Sequence, residues 1–230
     1  MKQIVQNYRT GDLQVSEVPV PGVRAGHLLV HTMASLVSAG TEKLMLDMAK
    51  KSLLGKARAR PDLVRQVVNK AREEGAMEAY RQTMSRLDAP FPLGYCSAGS
   101  VLEIGSGVEG FQVGDLVACS GTLFASHAEV VSVPANLCAL VPAGVDPEAA
   151  AFTTLGAIAL QAVRVADPSL GENVVVIGLG LIGQLAVQLL KANGCRVFGI
   201  DPDPKKVELA LLHGADAATA NNDQALRQVA

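Results

Sequence analysis

Three glycines in the second half of the chain have a spacing suited to holding phosphate groups. Gly178, Gly180 and Gly183 follow the β-branched run 174–177, which is typical of a parallel strand covered on both faces. The first glycine permits a tight bend, the second lets the backbone approach a phosphate, and the third lets a helix pack closely on the strand. Phosphates favour a helix N-terminus because its N–H groups are free. The spacing therefore predicts a dinucleotide-binding turn.

Asp201 stands where such a site needs an acid. An apolar stripe predicts a helix that ends near Asn193, and the strand Arg196 to Ile200 then leads to Asp201. A carboxylate there accepts hydrogen bonds from both ribose hydroxyls and repels a 2′-phosphate, so NAD is predicted rather than NADP. The alternative is a glycine-rich turn without a nucleotide, which the ordered series of strand, turn, helix, strand and acid disfavours. The predicted cofactor contacts are Gly178, Gly180, Leu181, Ile182, Gly183 and Asp201.

Composition excludes several other classes. The 230 residues are 49% hydrophobic, 18% charged and 3% aromatic, with no Trp and a net charge of −2. Such a chain favours neither nucleic acid nor membranes as a partner, and base-stacking surfaces are not expected. Because we find no membrane span and no signal peptide, we expect a cytoplasmic protein. The four cysteines show no C-x-x-C pairing, so reduced, buried thiols are predicted.

The pattern before the glycine turn predicts a β domain with a helical insertion. Residues 1–37 and 90–141 alternate short strands with turns, which indicates a small barrel. Residues 43–88 read as basic helices, one beginning at Pro61 and another near 77–87. Lys50, Lys51, Lys56, Arg58 and Arg60 form a basic cluster there. It suits an anionic substrate such as a nucleotide sugar, or is simply a solvated helical face. One helix is predicted over 148–166, and a third strand of the second domain over 215–219.

The strings GSGVEGFQVGDLVA and VIGLGLIG resemble the medium-chain dehydrogenase/reductase superfamily. LVSAGTEK, SLLGKARARPDLV and PLGYCSAG further resemble the N-terminal half of bacterial bi-domain oxidoreductases, which often act in sugar pathways. The resemblance implies an α/β fold with two domains. The first is a GroES-like β-barrel domain over 1–145 that contains a basic helical insertion at about 43–88. The second is a truncated Rossmann doubly wound parallel sheet over 146–230. It also implies hydride transfer to or from a small-molecule substrate, which is an alcohol or a carbonyl compound such as a sugar.

The resemblance also shows where this sequence departs from zinc-dependent alcohol dehydrogenases. Their first zinc-binding cysteine corresponds to Ala39, their histidine to Tyr95 and their adjacent glutamate to Cys96. Their third ligand falls at about Phe152 or Thr153. Catalytic zinc needs three protein ligands, and we therefore predict no metal.

Without a metal, a side chain must act on the substrate oxygen. The resemblance suggests Tyr95 as the proton donor and Thr41 as the hydroxyl relay, although Tyr95 fits equally well as a half-buried tyrosine of the β domain. Lys206 matches a lysine that contacts the adenosine ribose, and a solvated first-turn lysine is the alternative. We expect a structural role for His127. His27, His31 and His213 receive no role.

A complete Rossmann domain needs further strands after residue 219. We therefore expect a truncated chain, or one that depends on a homodimer or a C-terminal partner domain. Two functions follow: a zinc-independent NAD(H)-dependent oxidoreductase, or a non-catalytic scaffold or sensor that binds NAD(H).

Overall fold

A computed structural model describes residues 1–52, 61–75 and 88–220, together with positions 55, 58, 77, 78, 81, 84 and 85. The chain divides into two compact units, Met1–Ala151 and Phe152–Ala230. The sequence-based domain boundary at residue 145 precedes this division. Lys56, Arg60, Tyr80 and Leu87 of the expected basic insertion lie outside the described residues.

The first unit contains two antiparallel sheets. A three-stranded sheet has the order β2-β1-β4, and a five-stranded sheet has the order β7-β3-β5-β6-β8. The strands are β1 Lys2–Asn7, β2 Leu13–Glu17, β3 His27–Ser35, β4 Pro90–Pro92, β5 Cys96–Ile104, β6 Leu116–Ser120, β7 Val130–Pro134 and β8 Cys138–Leu140. A core of aliphatic side chains, including Leu28, Val30, Val101 and Val117, packs on one face of the larger sheet.

The expected closed barrel is not found among the described strands. The larger sheet ends in two different strands, and β8 has only three residues. The 3₁₀ turn Ala135–Leu137 connects β7 to β8, but these two strands are not neighbours in the sheet. Register shifts between β3 and β5 bend the sheet without closing it.

The helices of the first unit whose bounds the structure describes are α1 Ala39–Lys50, α2 Pro61–Glu74 and α3 Pro147–Ala150. The predicted helix start at Pro61 is confirmed. The single helix predicted over 148–166 is wrong, because it ends at Ala150 and a new helix begins at Thr153. Ala150 and Ala151 pack against Ala98 of β5, so burial of these two small side chains accompanies the break.

The second unit is a parallel α/β arrangement. Its sheet has the order β11-β10-β9, and its elements are α4 Thr153–Ala166, β9 Asn173–Ile177, α5 Leu181–Ala192, β10 Arg196–Ile200, α6 Pro204–Leu212 and β11 Ala217–Thr219. The predicted strands and helix around the glycines are confirmed. Leu179, Val187, Leu190 and Val197 form its core. No helix among the described residues has both the length and the apolar character that a membrane crossing requires.

The buried face of α5 differs in part from the predicted one. The expected apolar stripe was Ile182, Leu185, Ala186, Leu189 and Leu190. Leu190 is buried and Ile182 is exposed, and the other buried residues of the helix are Gln184 and Val187. This helix is apolar around much of its circumference, so hydrophobic periodicity does not select one face.

Candidate nucleotide-binding turn and hydroxyl cluster

The glycine turn has an open backbone at the start of a helix. Gly178 adopts a φ of +89°, in the left-handed region that favours glycine, and its N–H donates to the carbonyl of Ile200 at 2.8 Å. A β-carbon on Gly183 would collide with the carbonyl oxygen of Gly178. At Gly180 a β-carbon would meet no described atom within 4 Å. Because α5 begins at Leu181, this open space lies at the start of a helix, where N–H groups attract anions.

Asp201 contacts the turn directly. Its side chain is 6% exposed. One carboxylate oxygen accepts the N–H of Leu179 at 2.8 Å, and the other accepts the N–H of Asp203 at 2.9 Å. The ammonium of Lys206 lies 3.5 Å from the second oxygen. The bond from Asp203 lowers the pKa of Asp201 most, the bond from Leu179 and the charge of Lys206 add to this, and burial opposes them. Asp201 is therefore ionised at neutral pH.

The other predicted cofactor contacts lie at the two helix starts. Leu181 and Ile182 form the first turn of α5, with 38% and 41% exposure. Lys206 lies in the first turn of α6, where Asp203 caps the helix by accepting the N–H of Lys205. The structure thus brings the turn, Asp201 and Lys206 together within the second unit.

Sequence reasoning missed Gln184, which ties these parts to each other. The Gln184 amino group donates to the carbonyls of Leu179 at 3.1 Å and Lys206 at 2.8 Å. Its oxygen is therefore left to accept from Nδ1 of His213, at 3.0 Å. This buried amide is fully hydrogen-bonded, as burial requires. The available signal was the position of Gln184, three residues before Val187 and six before Leu190, on the same face of the helix.

The first unit contains a cluster of three hydroxyl groups. The Tyr95 phenol donates to Ser38 Oγ at 2.8 Å and lies 3.5 Å from Thr41 Oγ1. Tyr95 is half-buried, Ser38 is buried and Thr41 is exposed. The structure therefore brings together Tyr95 and Thr41, the two residues selected from the resemblance, and adds Ser38 as the nearer partner of the phenol.

A buried pair of ionisable residues supports this cluster. Glu42 Oε2 lies 3.1 Å from His127 Nε2, and the side chains are only 7% and 6% exposed. Glu42 Oε1 accepts the N–H of Ser38 at 2.9 Å, and His127 Nδ1 lies 2.9 Å from Ser35 Oγ. Glu42 thus fixes the backbone of the residue that accepts the Tyr95 hydrogen bond. We missed Glu42, although a glutamate in the first turn of a helix after a serine is a known sequence signal for a capped N-terminus.

Gly94 explains why His127 occupies this position. The glycine has a φ of +95°, and a β-carbon there would come within 2.9 Å of the His127 ring. The Leu93 carbonyl accepts the His127 N–H at 2.8 Å. The imidazole therefore packs against the backbone of Gly94, and a side chain at position 94 would force the ring or the backbone to shift.

The positions that correspond to the zinc site of the zinc-dependent enzymes hold residues of other types. Ala39 is the first residue of α1, Cys96 is fully buried at the start of β5, and Thr153 is the first residue of α4. Over residues 1–52, 61–75 and 88–220, no three His, Cys, Asp or Glu side chains are grouped so that they could hold a metal ion.

Two family models match the sequence. Residues 69–155 match the alcohol dehydrogenase GroES-like domain, and residues 182–230 match the zinc-binding dehydrogenase model. D-guloside 3-dehydrogenase of Shigella flexneri is 37% identical over 128 residues, covering 55% of this chain and 36% of that protein. The chain belongs to the medium-chain dehydrogenase/reductase superfamily.

Solved structures of the superfamily share the fold. Galactitol-1-phosphate dehydrogenase from Escherichia coli matches all of this chain and 66% of its own, with a TM-score of 0.73 and 21% identity. The quinone oxidoreductase of Thermus thermophilus, solved also with NADPH, matches 95% of this chain and 59% of its own, with a TM-score of 0.64 and 25% identity. The chain therefore spans between about a third and two thirds of the length of these superfamily members.

Proposed function

We propose that this chain provides the cofactor turn and the proton donor of a zinc-independent, NAD(H)-dependent oxidoreductase. The reaction transfers hydride to or from an alcohol or carbonyl substrate. The hydrogen bond from Leu179 N–H to Asp201 is the observation that supports the proposal most, because it joins the phosphate-binding turn to the acid that selects the ribose. The three relatives named above are dehydrogenases and an oxidoreductase.

The contacts of Asp201 refine how the ribose is held. A carboxylate has about four acceptor positions, and donors from Leu179, Asp203 and Lys206 already approach three of them. We therefore assign one ribose hydroxyl to the remaining position on Asp201. The Lys206 ammonium donates to the oxygen of the second hydroxyl. The ionised Asp201 repels a 2′-phosphate, which supports NAD rather than NADP.

The hydroxyl cluster supplies the proton chemistry in this proposal. The nicotinamide ring, when bound, supplies or accepts the hydride. Tyr95 gives its phenol proton to the substrate oxygen during carbonyl reduction and takes a proton back during alcohol oxidation. Ser38 and Thr41 hold the phenol oxygen and solvate the phenolate. The resemblance to bi-domain oxidoreductases and the likeness to D-guloside 3-dehydrogenase support a sugar or nucleotide sugar as the substrate.

Turnover of the full-length protein with Tyr95→Phe is the deciding experiment. The rate of NADH oxidation with a panel of keto sugars is measured, and NAD affinity is measured separately by calorimetry. Loss of a general acid lowers kcat by about 10²–10⁴-fold, while the Kd for NAD stays unchanged because Tyr95 is not among the proposed cofactor contacts. Tyr8→Phe is the matched control, since Tyr8 packs on Phe91.

An unchanged kcat in Tyr95→Phe would remove this residue from the mechanism. NAD binding without turnover of any substrate would favour the second function, a scaffold or sensor of NAD(H). Stoichiometric zinc on which turnover depends, detected by elemental analysis, would contradict the metal-free proposal.

A further inference from the structure

Two cysteines face each other across neighbouring strands of the first unit. Cys119 belongs to β6 and Cys138 begins β8, and the two are register partners in the antiparallel pair. Their sulfur atoms are 3.9 Å apart. Cys119 is buried and Cys138 is half-buried. Both are free thiols, but they are placed to react with each other.

The register of the two strands suits a disulfide. Directly opposed residues of an antiparallel pair have Cα atoms about 4.5–5.5 Å apart. This range lies inside the roughly 4.4–6.8 Å that disulfides need. Rotation of the two side chains can therefore bring the sulfurs into bonding distance, and the strands need not move apart or slide.

We propose that Cys119 and Cys138 form a reversible cross-strand disulfide when the protein meets a peroxide. The two thiols have different roles. Cys138 is the more accessible sulfur, so it attacks the peroxide first. Cys119 lies behind it in the core beside Val117 and resolves the product.

The electronic environment matches this division. The hydrogen-bond contact with Cys119 lowers the pKa of the Cys138 thiol, although burial opposes this shift. The same shared bond, together with burial, raises the pKa of the Cys119 thiol. Thiolates react with peroxides, whereas a buried neutral thiol stays inert until an electrophile forms beside it.

The reaction balances in two steps. The Cys138 thiolate attacks hydrogen peroxide, so that the O–O bond breaks and a sulfenic acid and hydroxide form. The hydroxide takes up the proton that the Cys138 thiol released on ionising and becomes the first water. The Cys119 sulfur then attacks the sulfenic sulfur. The S–S bond forms, the S–O bond breaks, and the Cys119 proton leaves with the hydroxyl group as water. Overall two thiols are oxidised, one peroxide is reduced and two waters are released. A dithiol such as dithiothreitol reverses the bond by exchange.

The bond would close a loop that supports the hydroxyl cluster. The segment between the two cysteines contains His127, which pairs with Glu42, and Gly121, whose N–H donates to the Tyr95 carbonyl at 3.0 Å. Closing this loop restricts the unfolded chain and so stabilises the first unit.

Peptide mapping of the wild-type protein tests the proposal directly. The protein is treated with stoichiometric hydrogen peroxide, denatured, alkylated and digested. We expect loss of two hydrogen atoms from the intact mass, a linked peptide pair that contains Cys119 and Cys138, and two alkylated cysteines, Cys96 and Cys195. The midpoint of thermal unfolding rises by roughly 5 °C or more, and dithiothreitol restores it.

Single variants provide the controls. Cys195→Ser keeps the linked pair, because its sulfur lies in the second unit against the Ser169 carbonyl. Cys138→Ser abolishes the pair, and it is the variant that folding tolerates more easily because Cys138 is half-buried on an edge strand. Four alkylated cysteines in the treated wild type, or sulfinic acid at Cys138 without a linked peptide, would overturn the proposal.

Discussion

Replacing Asp201 with asparagine tests the proposed contact between this carboxylate and the adenosine ribose. Asparagine preserves the shape of the side chain but removes the negative charge, and its amino group must face one of the two N–H donors, from Leu179 or Asp203. A hydrogen bond to a charged group contributes about 1.5–3 kcal/mol, so losing the bond to the ribose weakens NAD binding by roughly 10- to 150-fold. Titration calorimetry measures this Kd, with NADP as the second ligand. We expect the preference for NAD over NADP to fall as well.

Asp216→Asn is a matched control in the same unit. Asp216 also accepts a backbone N–H, from Val197 at 2.7 Å, and a lysine ammonium, from Lys191 at 2.8 Å. Its pKa is lowered, chiefly by the Lys191 bond. Asp216→Asn should therefore lower stability to urea without changing the Kd for NAD. Equal NAD affinity in the wild type and Asp201→Asn, or equal weakening by both variants, would refute the reasoning.

Three further predictions follow from the same contacts. Gln184→Leu leaves the carbonyls of Leu179 and Lys206 without their donor, so NAD affinity falls by about tenfold. Gln188→Leu, at an exposed position of the same helix, leaves NAD affinity unchanged. Glu42→Leu destabilises the first unit to urea by about 3–5 kcal/mol, and adding His127→Leu recovers part of that loss because no buried ionisable group is left unpaired. The pKa values of Asp201 and Asp216 are lower in the folded protein than in the unfolded chain, so the two carboxylates stabilise the fold above about pH 4. This contribution is lost as pH falls through the folded pKa values. The urea midpoint of the double asparagine variant should therefore depend less on pH than that of the wild type.

The second unit was more predictable than the first. The order of strand, glycine turn, helix, strand and acid depends on residues close in sequence, and β9, α5 and β10 appear where the pattern placed them. The contacts that organise the turn were not predictable. Gln184 reaches Lys206 across 22 positions, and no local pattern specifies which polar side chain will be buried.

Long-range pairing explains what the sequence could not show in the first unit. The Glu42–His127 contact spans 85 positions, and the Tyr95–Ser38 contact spans 57. Sequence reasoning selected Tyr95 and Thr41 because of family resemblance, but it could not see that Ser38 is the nearer partner. Cys119 and Cys138 are likewise neighbours only because β6 and β8 pair. The expected closed barrel was not found among the described strands. Closure likewise depends on pairing between edge strands that are distant in sequence.

The peptide of Leu179 is held on both of its sides, by Asp201 at its own N–H and by Gln184 at its carbonyl. Folding alone therefore sets the conformation of the loop, and no entropy of ordering it is left for a ligand to overcome. The amides of Gly178 and Leu179, which donate to Ile200 and Asp201, should be protected from hydrogen exchange in the free protein, whereas the amides at the start of α5 should gain protection when a nucleotide is added.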